Sequence, residues 1–396
     1  MKKKILLIWQ YARKDWIEVF ENLSSDFDFV FCAEVFPESS TENVAHFANV
    51  IYWSGYKNAQ EMLADVEPYK IVFMGLESLH TAALNYAAQR KGIETLYLQH
   101  GMYAPLEFYL KNQEVTNKLN PNNSLAKNKR HGIFMLKFYL STFKFHIKAF
   151  SYLGKYIYYK NKLTQTQFLV NTKFEYRIAD KYVVFTKENA KYLSERDGFN
   201  KDRYEEIGSP SFDKFINSEN SNAAYILLID TPLVEIIVGG KKEKRDFSVE
   251  EVNKFYKEIN EFAKTNLLKL YIKLHPFNYK SHFYLKDENI TYFKNCDIVD
   301  LLSNASQIVS FSSTLLLPAI LKKNFFLVRS SSNQSLLNDL EKYGMNPFPY
   351  FNNLKKEDIK FYNLNNNNSV KEQLLKEYLY RVDGKATQRL SNILSN

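Results

Sequence analysis

The sequence predicts an α/β protein with two Rossmann-like domains, and three observations support this fold class. Short apolar runs alternate with amphipathic stretches through the first hundred residues, and the alternation restarts after Pro210. Such alternation is typical of parallel sheets that carry helices on both faces. The length of 396 residues also exceeds what one ordinary hydrophobic core accommodates. We therefore expect two domains that face each other across a cleft.

The first domain is predicted over residues 1–208. Its strands are predicted at six apolar runs: Ile5–Trp9, Phe27–Phe31, Val50–Trp53, Ile71–Met74, Thr95–Leu98 and Lys181–Thr186. Amphipathic stretches predict helices over Glu61–Val66, Thr81–Lys91 and Glu188–Glu195. This is the βαβ pattern of a parallel sheet.

The second domain is predicted over residues 209–370, and residues 371–396 are predicted to hold a terminal helix over Lys371–Leu390. Strands are predicted at Ala224–Asp230, Leu267–Leu274, Ile290–Tyr292, Gln307–Phe311 and Phe325–Val328. Helices are predicted at Asp246–Lys264, Ile298–Asn304 and Ser313–Leu321. The pattern repeats that of the first domain.

A basic, mostly helical insertion interrupts the first domain over about residues 105–170. Lysines recur at helical intervals within Phe134–Lys162, beside aromatic residues and with few acids. A basic helix with aromatics is typical of a membrane-surface element, so residues 127–162 are a candidate contact with an anionic membrane. An ordinary insertion whose aromatics pack on the domain is the alternative, and the sequence does not choose between them.

Charge and composition narrow the class of protein. The net charge of +9 suits anionic partners such as nucleotides, nucleic acids or acidic lipids. Cys32 and Cys296 have no metal-site spacing, which argues against a zinc site or a disulfide framework. The apolar run Ile5–Trp9 is too short for a signal peptide or a membrane span. A cytoplasmic protein is expected, at most peripheral on the inner face of the cell membrane.

Ligands of parallel α/β sheets bind where strands end and helices begin. His275 directly follows a predicted strand, and Pro276 then turns the chain away. A histidine there can donate a hydrogen bond to a phosphate or a proton to a leaving group. Lys273 is either structural or a second phosphate contact. Thr231 also follows a strand, and both Thr231 and Pro276 are candidate substrate or nucleotide contacts.

Three consecutive hydroxyl residues, Ser312, Ser313 and Thr314, follow the strand Gln307–Phe311. We expect this strand to neighbour the strand of His275 and the hydroxyls to open a helix. A helix N-terminus offers free N–H groups and a partial positive charge, which suits a phosphate. The same residues are also ordinary helix caps.

Gln99, His100 and Gly101 follow a strand of the first domain, and Gln99 and Gly101 are candidate substrate or nucleotide contacts. Gly101 permits a sharp turn or a positive φ that would expose the imidazole. A neutral histidine there can take the proton of an acceptor hydroxyl, so His100 is the candidate general base. Glu77 also follows a strand and could orient or replace it.

No metal site is expected. Paired aspartates that could chelate a metal together with a diphosphate are missing from the predicted strand ends. Asp297 and Asp300 are instead typical of a helix start. We therefore expect neither a metal nor a cofactor.

The second half resembles a known group of transferases. The stretch Ile272–Pro276, followed by Asp300–Ala305 and Val309–Thr314, resembles the C-terminal half of bacterial sialyltransferases and polysialyltransferases. It is also similar to capsule Kdo transferases and CDP-glycerol glycerophosphotransferases. Their His-Pro motif matches His275 and Pro276, and their Ser-Ser motif matches Ser312 and Ser313. The matches cover about residues 180–330.

The resemblance implies a GT-B fold, inversion at the anomeric carbon and a donor activated by CMP, or by CDP in the glycerophosphate branch. It implies that His275, Ser312 and Ser313 contact the donor phosphate. The sialyltransferases carry a pair of acidic residues where this chain has Gln99 and His100, whereas the glycerophosphotransferases carry His-Gly there. The resemblance therefore supports His100 as the base and leaves the donor sugar open.

The sequence thus predicts an inverting, metal-independent glycosyltransferase that uses a CMP-activated ulosonic or nonulosonic acid. Its acceptor would be a growing glycan or glycolipid of a capsule, O-antigen or lipooligosaccharide. The alternative within the same fold is a CDP-glycerol or CDP-ribitol polyol-phosphate transferase. A non-enzymatic basic protein that binds nucleic acid is the third reading, and it requires a basic groove with exposed stacking aromatics.

Overall fold

The computed structural model describes residues 2–37, 44–103, 106–107, 110, 125–144, 146–159, 162–238, 241–244, 247–275, 278–279, 284–294, 296–313, 315–330 and 335–396. The chain forms two compact units. Unit 1 comprises Met1–Ser211 and Lys385–Asn396, and unit 2 comprises Phe212–Gly384. Two predicted contact residues, Pro276 and Thr314, lie outside the described residues.

Unit 1 contains a seven-stranded sheet in which every strand pair is parallel. Its strands are β1 (Lys3–Ile8), β2 (Phe27–Phe31), β3 (Asn49–Val50), β4 (Lys70–Phe73), β5 (Glu94–Leu98), β6 (Lys181–Val184) and β7 (Tyr204–Glu206). They lie in the order β3-β2-β1-β4-β5-β6-β7. The chain winds one way from β1 to β3 and the other way from β4 onward, so a topological switch point lies between β1 and β4.

Helices cover both faces of this sheet. They are α1 (Lys14–Glu21), α2 (Ala59–Val66), α3 (Leu79–Arg90), α4 (Leu125–Phe143), α5 (Ile147–Tyr159), α6 (Gln165–Asn171) and α7 (Lys187–Asp197). Leu6 belongs to one apolar cluster, while its neighbours Ile5 and Leu7 belong to another. Because successive side chains of a strand point to opposite faces, both faces of the sheet are buried.

The predicted helical insertion packs on unit 1 through one face. Phe138 and Tyr139 of α4, with Tyr152 and Leu153 of α5, are buried in the apolar cluster that also holds α2 and α3. The stretch predicted as one helical segment over Phe134–Lys162 is two helices. Lys144 has a φ of 50°, and this left-handed residue ends α4.

Unit 2 contains a five-stranded parallel sheet with the order β12-β11-β8-β13-β14, and a separate hairpin of β9 and β10. Its strands are β8 (Ala223–Ile229), β9 (Glu235–Val238), β10 (Lys241–Lys244), β11 (Lys269–Lys273), β12 (Ile290–Phe293), β13 (Ala305–Ser310) and β14 (Asn324–Leu327). The prediction that the strand before Ser312 neighbours the strand of His275 is wrong. The first strand of the unit, β8, lies between them because the later strands wind outward on both of its sides.

The helices of unit 2 are α8 (Asp213–Asn217), α9 (Val249–Thr265), α10 (Ile298–Asn304), α11 (Leu316–Ala319), α12 (Ser335–Lys342) and α13 (Asn368–Leu374). The long helix α9 begins at a capping box, in which Ser248 and Glu251 satisfy each other's backbone N–H groups. Its apolar residues Val252, Phe255 and Ile259 pack with Leu270 and Ile272 of β11 in the core of the unit.

The helix predicted over Lys371–Leu390 is interrupted. After α13, a π-helical turn spans Leu375–Leu379, and Tyr380 then has a φ of 65°. The chain resumes as α14 (Ala386–Ser395), whose Leu390, Ile393 and Leu394 complete an apolar cluster of unit 1. The last twelve residues, Lys385–Asn396, therefore belong to unit 1 and not to the preceding segment.

The predicted fold class is confirmed: the chain is α/β, with two parallel Rossmann-like sheets and a helical insertion in the first unit. Within the described ranges, none of the helices has the length and apolar character that crossing a bilayer requires.

Candidate active site

A cavity of about 370 Å³ opens at the carboxyl edge of the unit 1 sheet. Its walls follow the ends of β1, β2, β4 and β5, at the switch point where α/β sheets bind ligands. It is lined by Ile8, Trp9, Gln10, Ala33, Trp53, Met74, Gly75, Glu77, His80, Thr81, Tyr97, His100, Tyr103, Gln165 and Arg196. The predicted His100 and Glu77 therefore share one cavity.

His100 lies against two tryptophan rings. Its ring centroid is 5.9 Å from that of Trp9 and 6.0 Å from that of Trp16, both in edge-to-face geometry, and part of the residue stays open to solvent. Burial, and secondly the charge of Arg196, lower the pKa of His100. The imidazole is therefore neutral at neutral pH, which is the form that can accept a proton.

Gln99 fixes the loop that carries His100. Its buried side chain donates to the carbonyl of Gly101 and to Oδ1 of Asn189, each at 2.6 Å, and accepts the N–H of Phe185 at 2.8 Å. These contacts occupy the amide, so Gln99 has a positioning role in this geometry. Of the two conformations that the sequence allowed for Gly101, the positive φ is not adopted, because Gly101 is not among the left-handed residues of the described chain. The chain bends at Gly101, whose carbonyl accepts the Gln99 amide.

Glu77 belongs to an ion-pair network that the sequence did not reveal. Arg196 donates to Glu77 at 3.1 Å and binds both carboxylate oxygens of Asp197 at 2.8 Å. Burial lowers the pKa of Arg196, but the carboxylates of Asp197 and Glu77 hold it well above its ordinary value. Such a bidentate, buried guanidinium is a rigid support, so it fixes the Glu77 carboxylate at the cavity wall.

The cavity also has an aromatic, largely buried side. Tyr97 and Tyr103 share a hydrogen bond of 2.5 Å between their hydroxyls. The rings of Trp53 and His80 meet at 4.4 Å, edge to face. Within the described chain, Trp53 Nε1 and His80 Nδ1 are buried without a hydrogen-bond partner. Burial lowers the pKa of His80 to about 3, so this histidine is neutral.

In unit 2, His275 follows β11 and is held by a buried carboxylate. Asp230, at the end of β8, accepts the hydroxyl of Tyr256 at 2.8 Å and the amide of Asn278 at 2.6 Å. It also receives the backbone N–H of His275 at 3.5 Å, while Asn278 donates its own N–H to the His275 carbonyl at 2.8 Å. Burial raises the pKa of Asp230 against the effect of these hydrogen bonds.

Two further predicted contacts adjoin this network. The carbonyl of Thr231 accepts the side-chain amide of Asn278 at 3.4 Å, so Thr231 lies next to the His275 loop. The Lys273 ammonium donates to the carbonyls of Leu274 and Lys294 at 3.0 and 2.8 Å and to the Tyr279 hydroxyl at 3.0 Å. The three N–H groups of the Lys273 ammonium thus each have a protein oxygen as acceptor, which favours a structural role for Lys273 over a phosphate contact.

Ser312 and Ser313 follow β13 at the same carboxyl edge and are half-buried. Two strand spacings separate the tips of β11 and β13, roughly 10 Å at about 4.8 Å per strand. The helix predicted over Ser313–Leu321 begins only at Leu316 and has four residues. It starts late because the N–H of Leu316 first closes a turn onto the Ser313 carbonyl, so the hydroxyls lie on a loop rather than at a long helix N-terminus.

No protein-family model matches the sequence, and no curated protein matches it. Solved structures with a similar fold include the glycotransferase of kitacinnamycin, with a TM-score of 0.48 and 9% identity. That match covers 100% of this chain and 94% of the glycotransferase. The wall teichoic acid polymerase TagF has a TM-score of 0.49 and 11% identity over 100% and 88% of the two chains. A UDP-glucosyltransferase from Polygonum tinctorium has a TM-score of 0.46 and 11% identity over 100% and 98%. At these values no residue role is transferred to this chain.

Proposed function

We propose that the chain is an inverting, metal-independent glycosyltransferase that moves an ulosonic or nonulosonic acid from its CMP form to a glycan or glycolipid. The observation that carries this proposal is a neutral histidine at the rim of a sugar-sized cavity. His100 combines a lowered pKa with a place at the switch point of the unit 1 sheet. Those are the properties of a group that activates an acceptor hydroxyl.

In the proposed reaction, His100 takes the proton of the acceptor hydroxyl as its oxygen attacks the anomeric carbon. The bond from that carbon to the phosphate oxygen breaks, and CMP leaves with the bonding electrons. Attack opposite the leaving group inverts the anomeric centre. The products are the new glycoside, CMP and one proton, which His100 releases to solvent.

The departing phosphate is assigned to unit 2. His275 is well suited because Asp230 and Asn278 fix the main chain on both sides of its imidazole. Ser312 and Ser313 supply hydroxyl donors at the same edge of the sheet. Preorganised donors that face developing charge are a large source of rate enhancement, since they need no rearrangement during the reaction.

A CDP-glycerol or CDP-ribitol transferase is the second candidate. The feature that favours it is His100 itself, since a histidine followed by glycine stands where the sialyltransferases carry two acidic residues. Both reactions release CMP, and they differ in the group that reaches the acceptor. The proposed setting for either reaction is the cytoplasm, at the inner face of the cell membrane, in the synthesis of a surface polysaccharide.

The test is a donor panel assayed for CMP release in the presence of EDTA. CMP-Kdo, CMP-sialic acid, CMP-pseudaminic acid, CDP-glycerol and CDP-ribitol would each be offered with a mixed glycan acceptor, and the product analysed by mass spectrometry. We expect CMP from one of the first three and a product of inverted configuration. Transfer of a polyol phosphate would favour the second candidate.

The variant His275→Ala should weaken CMP binding about 10- to 100-fold, the value of a hydrogen bond to a charged group. His46→Ala is the matched control, because His46 is an exposed histidine of unit 1 outside the cavity. Release of no CMP from any of the five donors would contradict both candidates. Full CMP affinity in His275→Ala would contradict the phosphate assignment alone.

A further inference from the structure

Helix α5 has two apolar faces, and only one of them is packed. Ala149, Tyr152 and Leu153 are buried in the core of unit 1. On the other side, Ile147, Phe150, Ile157 and Tyr158 expose 84%, 46%, 61% and 59% of their surface. A surface helix of a globular protein normally turns polar residues outward. The outward side of α5 is therefore more apolar than an ordinary solvent-exposed helix face.

The exposed apolar residues are concentrated and not scattered. In the described chain, nine large hydrophobic side chains are exposed, and four of them lie on the 13 residues of α5. Single exposed hydrophobic residues are normal on any protein, but a cluster of them marks an interaction surface. We call these four residues, with the exposed lysines Lys144, Lys148, Lys155 and Lys162, the α5 outer face.

The charge around this face is mostly positive. The sequence from residue 115 to residue 174 contains no Asp or Glu and eleven Lys or Arg residues. Lys148 and Lys155 flank the apolar side chains, and the Lys162 ammonium lies 3.6 Å from the centre of the Tyr158 ring. The salt bridge of Lys148 with Glu175, 2.8 Å long, is exposed on both sides and offers little competition to a stronger anion.

We propose that the α5 outer face binds an anionic lipid bilayer. Isoleucine, phenylalanine and tyrosine side chains enter the region between headgroups and acyl chains, while lysine stems lie along the apolar surface and bring their ammonium groups to lipid phosphates. The helix would lie flat, since 13 residues span only about 20 Å. This surface is independent of the reaction proposed above.

Other occupants fit the face less well. A second copy of the chain would bring two lysine-rich faces together, and like charges at an interface oppose association. A nucleic acid would match the charge, but it is held by stacking on aromatic rings. The face does expose two aromatic rings, Phe150 and Tyr158, but its most exposed residue is the aliphatic Ile147. An isoleucine offers nothing to stack on and favours the acyl region of a lipid layer.

The experiment is co-sedimentation of the full chain with vesicles of phosphatidylcholine alone or mixed with phosphatidylglycerol. We expect strong binding to the anionic vesicles, weak binding to the neutral ones and release by added salt, because screening weakens exposed charge contacts. The double variant Ile147→Ser/Ile157→Ser should lower the partition coefficient on the anionic vesicles by about tenfold or more, because two large apolar side chains no longer enter the bilayer. Lys148→Gln/Lys155→Gln should lower it roughly 10- to 30-fold, as expected for two surface lysines.

Leu267→Ser is the matched control. Leu267 is 90% exposed and lies in unit 2, so its loss should leave the partition coefficient unchanged. All variants should keep the thermal transition of the parent and its rate on a short water-soluble acceptor. The rate on the soluble acceptor separates loss of membrane binding from loss of the proposed reaction. If no transfer is found, CMP affinity can be measured in place of this rate.

Equal binding of the parent to both vesicle types would overturn the proposal. So would a control variant that loses as much binding as the isoleucine pair. A concentration-dependent dimer that the isoleucine variant abolishes, seen by light scattering without vesicle binding, would assign the face to a second copy. Binding of a labelled oligonucleotide in place of vesicles would assign it to nucleic acid.

Discussion

The two units carry histidines at equivalent places, and their surroundings differ. In unit 1, His100 lies against the rings of Trp9 and Trp16, near a buried guanidinium. In unit 2, His275 is held through its own main chain by hydrogen bonds to Asp230 and Asn278. One environment acts on the protonation of the imidazole, and the other acts on its position.

This difference has a chemical meaning. Removing water from a histidine and placing a cation near it both disfavour the charged form, which keeps a proton acceptor available. Fixing the loop around a histidine lowers the entropy lost when it meets a ligand. In the proposed reaction the aromatic site therefore transfers the proton, and the hydrogen-bonded site binds the anion.

The largest effect is expected for His100→Ala. Loss of a general base lowers kcat by about 10²- to 10⁴-fold, while CMP affinity should stay at the parent value. Since the pKa of His100 is lowered, the acidic limb of kcat/KM in the parent should fall below pH 6.5, and activity should persist at mildly acidic pH. An equal loss of kcat in His46→Ala, or a weaker affinity for CMP in His100→Ala, would contradict the separate roles proposed for His100 and His275.

Asp230→Asn should follow in size. In the parent, the Asn278 amide and the Tyr256 hydroxyl donate to the Asp230 carboxylate. The substitution keeps the side-chain volume, but its amide N–H groups face one of these donors, so one hydrogen bond is lost. We expect CMP affinity to fall about tenfold as the His275 loop loses its anchor, consistent with about 1.4 kcal/mol for a hydrogen bond to a charged group. Calorimetry with CMP gives the value.

A double-mutant cycle separates positioning from general damage. If Asp230 acts through His275, adding Asp230→Asn to the His275→Ala background should change CMP affinity by less than about threefold. Additive losses would mean that Asp230 affects the nucleotide by another route.

His80 predicts an acid sensitivity that belongs to unit 1. Its folded pKa of about 3 lies below the unfolded value of about 6.5. For a histidine with a lowered pKa, protonation favours the unfolded state, so stability is complete above pH 6.5 and is lost as the pH falls toward 3. At pH 5 the free energy of unfolding should drop by about 2 kcal/mol.

The three tryptophans, Trp9, Trp16 and Trp53, all lie in unit 1, so their fluorescence follows urea unfolding of that unit alone. In the variant His80→Asn, the free energy of unfolding should no longer differ between pH 7 and pH 5 by the amount that the parent shows. His46→Asn is the matched control and should keep this difference. If His80→Asn retained the full difference, the acid sensitivity would have another source.

The smallest effect is expected for Ser312→Ala and Ser313→Ala. Each removes one hydroxyl donor on a loop, and a neutral donor contributes about 1 kcal/mol, so CMP affinity should fall about fivefold. The variant Ser306→Ala serves as a control. Ser306 lies on β13, at the end far from the serine loop, and its hydroxyl donates to the Tyr225 carbonyl at 2.7 Å. A loss as large as that of His275→Ala would mean that the serines and not the histidine dominate phosphate binding.

The strand tips were predictable because each buried strand is a local apolar run with a polar residue after it. His100 follows β5 and His275 follows β11 at the positions that the sequence indicates. Strand order was less accessible, since nothing local in β13 shows that β8 separates it from β11. The late start of α11 was also missed, because the serines are good caps and their turn depends on the surrounding packing.

Partners that are distant in sequence were not predictable. Arg196 meets Glu77 across more than a hundred residues, and in the sequence it looks like any charged residue near a helix end. Asp230 ends an apolar strand, and its function depends on Tyr256 and Asn278 from two other elements. A hydrophobic pattern reports which side chains are buried, but it does not report which buried polar groups find each other.

The place of α14 has a consequence for biosynthesis. Unit 2 is one continuous stretch, Phe212–Gly384, whereas unit 1 needs Leu390, Ile393 and Leu394 to complete one of its apolar clusters. A ribosome delivers the chain from its N-terminus. Unit 1 begins first and is completed last, so during translation the part of this apolar cluster that α14 covers stays open while the whole of unit 2 is made.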